Sequence, residues 1–387
     1  PAELYGQLRA NSKGLDLAND SALAQLNQTA QQFAKHQWSA APMGEHIQTN
    51  DAVAPQSIIN PARHSDVVGY VQEATTEQVE QALNNAQAVQ DIWARTAKDT
   101  RASYLLRAAD LMEARLEELM ILLCRESGKT YANAIAEVRE AVDFLRYYAT
   151  QMIDLDANAE VEPLGTMLCI SPWNFPLAIF TGQVAAALVA GNTVIAKPAE
   201  QTPLIAAQAI QILWQAGVPQ AAVQLMPGRG ETVGAQLSAA EQVQGIMFTG
   251  STEVAKILQK TVAKRLSKNG ESIPLIAETG GQNAMIVDSS ALTEQVVLDV
   301  VSSAYDSAGQ RCSALRVLCV QEDNADAVIQ MLKGAMQQLQ VGNPYLLKTD
   351  IGPVIDAEAQ ENIQKHIDKM RQKGHRVHQL MRNDAQD

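Results

Sequence analysis

The stretch GTMLCISPWNFPLAIFTGQVAAALVAGNTVIAKPAE, residues 165–200, decides the fold. An apolar run, Thr166 to Ile170, meets the proline turn SPWNFP and then a helix-like segment; a second run, Thr193 to Ala196, ends in KPAE. Strand, helix and strand in that order read as a βαβ unit of a parallel sheet, and open sheets of this kind bind ligands beyond the carboxyl ends of their strands. Asn174 is therefore expected at such an end. Lys197 and Glu200 follow the second strand, a cation and a carboxylate of the kind that dinucleotide ribose hydroxyls need. Singly, Asn174 is a turn residue and the charged pair a solvated face; together they favour a site.

Toward the C terminus, Val223 to Met226, Gly245 to Phe248 and Leu275 to Ala277 are further apolar runs between helical segments, the rhythm of a doubly wound parallel sheet. The usual GxGxxG fingerprint is absent: Gly228, Gly230 and Gly234 miss its spacing by one residue. FTGS, residues 248–251, puts Gly250 and Ser251 between a strand and a helix starting near Glu253. Backbone amides and the positive end of a helix dipole can hold a pyrophosphate there; the plainer reading of Ser251 is an N-cap. After Glu278 the pattern changes to a second domain, with strands at Ala284 to Asp288 and Arg316 to Gln321 around a helix from about Leu292 to Tyr305. Between them lies SAGQRCSALR, in which Cys312 stands beside Arg311 after a glycine. Electropositive surroundings raise a thiolate fraction, whereas a lone cysteine is commonly a small buried residue.

Residues 1–50 are polar, with a helical pattern from Ser21 to about Trp38, and read as an arm that packs onto a neighbour. Gln56 to Asn60 and Asp66 to Gln72, divided by Pro61, fit a hairpin or meander. Helical spacing marks Thr76 to about Ala94 and Thr100 to about Arg125, with Leu105, Leu106, Leu116, Leu119 and Leu123 on a core-facing stripe and Gly128 as the stop. SGKT, residues 127–130, is no phosphate loop, because Leu123 stands where that motif needs glycine and a helix precedes it where a strand should. The next helix, Ala132 to about Met152, carries Glu137, Arg139, Glu140 and Arg146, read as a solvated face.

A chain of 387 residues is long for one core. The expected division is an arm over 1–50, a dinucleotide-binding domain over 51–277 and the start of a second domain over 278–387. A net charge of −13 without a basic stripe speaks against a nucleic-acid partner. No window reaches the apolar span of a bilayer crossing, and nothing at Pro1 reads as an export signal. The chain is expected to be cytoplasmic and to be a piece of something longer. Cys124, Cys169, Cys312 and Cys319 lack paired metal-ligand spacings and suit a reducing compartment. The histidines do not cluster with them, so no metal site is expected.

In order and at fitting separations, PWNFP, KPAE, FTGS, ETGG at 278–281 and GQRC at 309–312 resemble the motifs of the aldehyde dehydrogenase superfamily. The resemblance implies a Rossmann-like, NAD-binding sheet followed by an incomplete α/β catalytic domain. It implies Cys312 as nucleophile, Asn174 with the Cys312 backbone N–H as oxyanion donors, and Glu278 as the base for hydrolysis. It also implies cofactor contacts from Ile170, Ser171, Pro172, Trp173, Lys197, Glu200, Gly228, Gly250, Ser251 and Gly280.

The stretch LYGQLRANSKGLDLAND, residues 4–20, resembles the segment that precedes the aldehyde dehydrogenase module in the proline utilization A family of bifunctional bacterial enzymes. This narrows the implied substrate to L-glutamate γ-semialdehyde, whose carboxylate Arg311 or Ser313 would help bind; both residues equally suit a role in ordering the loop. The resemblance further implies a covalently linked proline dehydrogenase domain and a homo-oligomeric parent whose membrane contacts, if any, lie in other domains. In the family the catalytic domain continues beyond the counterpart of VGNPYLLKTDIGPVIDAEAQENIQKHID. That continuation holds a glutamate for the nicotinamide ribose, part of the substrate pocket and a strand of dimer assembly. The isolated chain is accordingly expected to bind NAD weakly and to turn over little. An aldehyde dehydrogenase of other specificity and a non-catalytic folded piece remain as alternatives.

Overall fold

A computed structural model of the chain describes residues 4–5, 9–48, 53–155 and 161–380. Two compact units result: Pro1–Ile58, Val67–Glu126 and Ala134–Thr279 form the first, and Ile59–Asp66, Ser127–Asn133 and Gly280–Asp387 the second. The strands in chain order are β1 (Trp38–Ala40), β2 (Gln56–Asn60), β3 (Arg63–Val71), β4 (Thr166–Ile170), β5 (Val194–Lys197), β6 (Val223–Leu225), β7 (Val243–Gly250), β8 (Leu275–Thr279), β9 (Asn283–Val287) and β10 (Leu315–Val320).

In the first unit β4 to β8 form a five-stranded sheet in the order β6-β5-β4-β7-β8, with every neighbouring pair parallel. That is the winding of a Rossmann sheet, with the first strand of the set in the middle. Helices Ala178–Val189, Pro203–Gln215 and Thr252–Val262 make three of the crossovers. The fourth, between β6 and β7, is a π-helical turn, Gly230–Gly234, that runs into the short helix Ala235–Ala239. Leu168, Ile195, Ile246 and Phe248 pack with Val79 and Leu83 of helix Thr76–Arg95 and with Leu258. Their strand neighbours Met167, Cys169, Val194 and Ala196 are buried as well. Burial on both faces is what turns these strands into continuous apolar runs rather than alternating ones. It also pushes the Cys169 thiol far above its ordinary range, so this cysteine is inert.

The arm departs from expectation. Its helix, Asp20–Phe33, starts where Asn19 Oδ1 accepts the amides of Ser21 and Ala22, but it ends before Trp38, which opens β1. β1 runs parallel to β3 with Trp38 opposite Gly69, and a Cβ there would lie 2.1 Å from the Trp38 carbonyl oxygen. Only glycine allows that approach. The buried Arg125 donates to the carbonyls of Phe33 (2.9 Å) and His36 (2.6 Å), and Ser12 Oγ donates to Asp143 (2.7 Å). The arm therefore packs on the first unit itself. Its expected boundary at residue 50 lies outside the described residues.

Two further expectations are corrected. The helix read from Thr100 to about Arg125 is broken at Arg115 into Lys98–Ala114 and Leu116–Ser127, with the Arg115 guanidinium donating to Glu118 (2.7 Å) and Gln208 (2.6 Å). Gly128 ends the second piece at φ +67. On helix Tyr131–Asp154, Glu137 is 1% exposed and Arg146 7% exposed, so these two do not belong to a solvated face; Glu140 does. Arg146 pairs with Glu113 (2.8 Å) and Asp110 (3.0 Å).

In the second unit β9 and β10 pair in parallel, and Val287 and Leu315 pack with Val296 and Val300 of helix Thr293–Tyr305 and Val328 of helix Glu322–Gln338. Asp356 caps the last helix, Ala357–Gln372. The polar end of the chain, residues 382–387, lies outside the described residues. No helix among the described residues is long and apolar enough to cross a membrane.

Glu126 is fully buried at the end of Leu116–Ser127, where it accepts the amides of Leu204 (2.6 Å) and Ile205 (2.9 Å). Burial, opposed by those amides and aided by Glu137, pushes its carboxyl from 4.5 up to about 8. Between these values the folded chain holds a proton that the unfolded chain releases, so this group's contribution to stability falls as pH rises through the window. Glu126→Gln should remove that dependence, at most about 1.4 kcal/mol per pH unit. Thermal melts from pH 5 to 8 check this: the variant should lose less stability than the wild type, and parallel curves would contradict it.

Candidate active site

Winding reverses between β4 and β7, and ligands of open α/β sheets bind outside the carboxyl ends at such a point. Ile170, the last residue of β4, stands opposite Lys197 of β5 and Phe248 of β7, so three strands finish in nearly one row. Gln183 of helix Ala178–Val189 spans the switch, its Nε2 donating to the Ile170 carbonyl (3.3 Å) and to Thr249 Oγ1 (3.0 Å). Its Oε1, Ser171 Oγ and Thr202 Oγ1 are buried without hydrogen-bond partners. Such atoms are few in native interiors; Ser171 directly follows β4, Gln183 reaches the end of β4 through its Nε2, and Thr202 lies in the loop that follows β5.

The Lys197 ammonium is buried and donates to the Pro198 carbonyl and Glu200 Oε1, each at 3.1 Å. The glycine-rich turn after β6 runs alongside: a Cβ at Gly234 would lie 3.5 Å from Lys197 Cε, and one at Gly230 3.9 Å from Glu200 Oε1. Gly228, at φ +153, packs so closely on Val233 that a Cβ would be 2.4 Å from Cγ2. Gly230 and Gly234 thus border the charged pair. Beyond β7, Ser251 Oγ accepts the Val254 amide (3.2 Å) and caps helix Thr252–Val262, whose first turn is exposed. The ordinary cap and an anion-binding helix end are compatible here, because one side chain satisfies only one of the free amides.

Pro172, Trp173 and Asn174 are half-buried in the turn that leads into helix Ala178–Val189. Glu278 is exposed on β8 opposite Thr249. Gly280 opens the second unit with nothing near its Cβ position.

In the second unit Cys312 is a free, exposed thiol. Three successive residues before it, Ser307, Ala308 and Gly309, have left-handed φ values of 54°, 55° and 70°. For the two residues that are not glycine this costs on the order of 1–3 kcal/mol each, and the surroundings hold it. Arg316 donates to the carbonyls of Gly309 (2.9 Å) and Arg311 (3.1 Å), while Gln310 donates to those of Ser307 (3.0 Å) and Pro353 (3.2 Å). Asn283 Nδ2 donates to the carbonyls of Cys312 (2.8 Å) and Ala314 (3.0 Å). Arg311 pairs with Asp306 (2.7 Å) and donates to Asn133, which itself donates to Asp306 (2.8 Å). The Arg311 contacts present are those of a loop-ordering residue; Ser313 is exposed.

Ile170 through Asn174, Lys197, Glu200, Gly228, Gly250, Ser251 and Glu278 lie on the first unit, and Gly280, Arg311, Cys312 and Ser313 on the second. An open groove of about 1030 Å³ lies at the opposite, amino-terminal end of the sheet, lined by Gly165, Thr166, Gln244 and Arg265; it contains no candidate residue. Sequence reading missed Gln183, Asn283, Arg316 and the buried glutamates. For Glu126 a signal existed, since it lies three residues after Leu123 and seven after Leu119, on the core stripe. Asn283 carried none beyond its place after ETGG.

The model of the "Aldehyde dehydrogenase family" matches residues 47–386. The chain is 60% identical over its full length to the bifunctional protein PutA of Klebsiella aerogenes, of which it spans 29%. It is 36% identical to the 1-pyrroline-5-carboxylate dehydrogenase of Anoxybacillus flavithermus, covering 92% of this chain and 71% of that protein. A crystal structure of a 1-pyrroline-5-carboxylate dehydrogenase from Thermus with bound NAD superposes with a TM-score of 0.88 at 31% identity, over 94% of this chain and 73% of the other. The chain belongs to the aldehyde dehydrogenase family.

Proposed function

We propose that the enzyme containing this chain oxidises L-glutamate γ-semialdehyde, the open form of 1-pyrroline-5-carboxylate, to glutamate with NAD. The observation that carries the reading is the exposed Cys312 thiol on a turn whose backbone is clamped by Asn283 and Arg316. The named relatives that act on 1-pyrroline-5-carboxylate supply the substrate, and the one solved with NAD supplies the cofactor. An NAD site fits the residues present: the Lys197–Glu200 pair beside the glycine turn, the exposed start of helix Thr252–Val262 and the unpartnered polar atoms of Ser171, Gln183 and Thr202. When bound, NAD accepts a hydride.

The Cys312 thiol loses its proton and its sulfur adds to the aldehyde carbon, giving a thiohemiacetal whose oxygen carries the developing charge. The Asn174 carboxamide and the Cys312 N–H are the proposed donors to that oxygen. Oxidation leaves a thioester on Cys312, and Glu278 takes a proton from the water that cleaves it, releasing glutamate and the thiol. Arg311, tied to Asp306 and Asn133, orders the nucleophile's loop in this scheme, and Ser313 is left as the candidate for the substrate carboxylate.

In the full-length protein, semialdehyde should reduce NAD much faster than simple aliphatic aldehydes, read as NADH absorbance; equal rates would favour another specificity. Cys312→Ala should abolish turnover, and Asn174→Ala should lower kcat about 100- to 1,000-fold. Asn283→Ala, which removes two donors from the nucleophile's turn, should lower kcat and cost about 0.5–1.5 kcal/mol per lost bond in chemical denaturation. Wild-type kinetics in that variant would dismiss the clamp.

A further inference from the structure

We propose that Glu137 is a positioning residue for the reaction: from the interior of the first unit it fixes the first turn of helix Ala178–Val189 and, through it, the carboxamide of Asn174. Glu137 is 1% exposed, and its Oε1 accepts the amides of Leu177 (2.8 Å) and Ala178 (3.3 Å), 40 and 41 residues along the chain. The helix has no side-chain cap of its own at Leu177. Asn174 stands three residues before the first capped amide. The connection is stiff: Pro176 fixes its own φ, and the Phe175 carbonyl accepts the Ile179 amide (3.2 Å). Upstream, the turn is anchored at Ile170, whose carbonyl Gln183 of the same helix holds. Once the two amides are fixed, little freedom remains for the Asn174 backbone.

Stability alone is a poor reason for this arrangement. A serine, threonine or asparagine at the N-cap does the same work without taking a carboxylate out of water. A carboxylate gains more at a helix N-terminus, from the dipole as well as from the amides, and gives a stiffer anchor. The arrangement is repeated next door, where Glu126 holds the start of helix Pro203–Gln215, which follows the loop bearing Lys197 and Glu200. Each buried glutamate thus secures a helix whose entry loop carries candidate site residues.

The proposal rests on Asn174 acting as an oxyanion donor, so the test is a double-mutant cycle in the full-length protein, with kcat taken per alkylatable Cys312. Glu137→Ala should lower kcat about 100-fold, the effect of a displacement near 1 Å, with the KM for NAD changed less than about twofold. Glu137→Gln, which keeps an acceptor, should recover most of the loss. In an Asn174→Ala background Glu137→Ala should add nearly nothing, because residues acting as a unit are not additive. If Glu137→Ala does not fold, Glu137→Asp, which keeps a carboxyl group and withdraws the acceptor, carries the cycle with an expected loss of about tenfold. Unchanged kcat, or losses that multiply in the double variant, would overturn the positioning role while leaving Asn174 in place. Normal turnover by Asn174→Ala alone would instead overturn the reading of Asn174, and the role of Glu137 with it.

Discussion

Parallel pairing of β4 with β7, with Ile170 opposite Phe248, is the constraint from which the arrangement of the first unit follows. It puts the earliest strand of the sheet in the middle and makes the chain wind outward in both directions. Two loops then leave neighbouring strand ends into the same space, one carrying Ser171 to Asn174 and the other Gly250 and Ser251. Lys197 reaches the same row from the third strand. Backbone hydrogen bonds impose this alignment, and no side chain in the loops has to create it. Ile170 and Phe248, 78 positions apart in sequence, are brought level by a ladder of amides.

The helices between the strands inherit a complementary problem. Two of them, Ala178–Val189 and Pro203–Gln215, begin in a buried setting with free first-turn amides and no side-chain cap of their own. Glutamates from the helical layer, Glu126 and Glu137, meet that need at the cost of taking a carboxyl group each out of water. The second unit solves a related problem differently. There a left-handed run at Ser307 to Gly309 bends the chain toward Cys312, and neutral amides and guanidinium groups hold the carbonyls. Both devices use local strain or burial to fix a backbone next to a residue proposed to take part in the reaction.

β4 and β5 were legible because they are buried on both faces and so stand out as short apolar runs between helical segments; the half-exposed β9 and β10 also fall within a residue of where the pattern puts them. The motifs were legible because glycine, proline and asparagine mark turns. What escaped depends on partners distant in the chain. Trp38 continues a helical pattern locally, yet it is claimed by pairing with β3 and by the Arg125 guanidinium 5.3 Å above its ring. At the helix break, Arg115 donates to Gln208, 93 residues away. Glu137 and Arg146 have the composition of a solvated face, and only tertiary packing shows that they are enclosed. Asn283 opens a strand like any polar residue until the Cys312 carbonyl comes to meet it.

The proposed function requires the dinucleotide to lie at the carboxyl ends of β4 and β7. Backbone hydrogen exchange in the full-length protein, with and without saturating NAD, tests this most directly. Slowed exchange at Trp173, Asn174 and Thr252 to Val254, with no change around Gly165, Gln244 and Lys268 of the opposite groove, is the predicted result. Protection confined to that groove, with the ends of β4 and β7 unaffected, would contradict it.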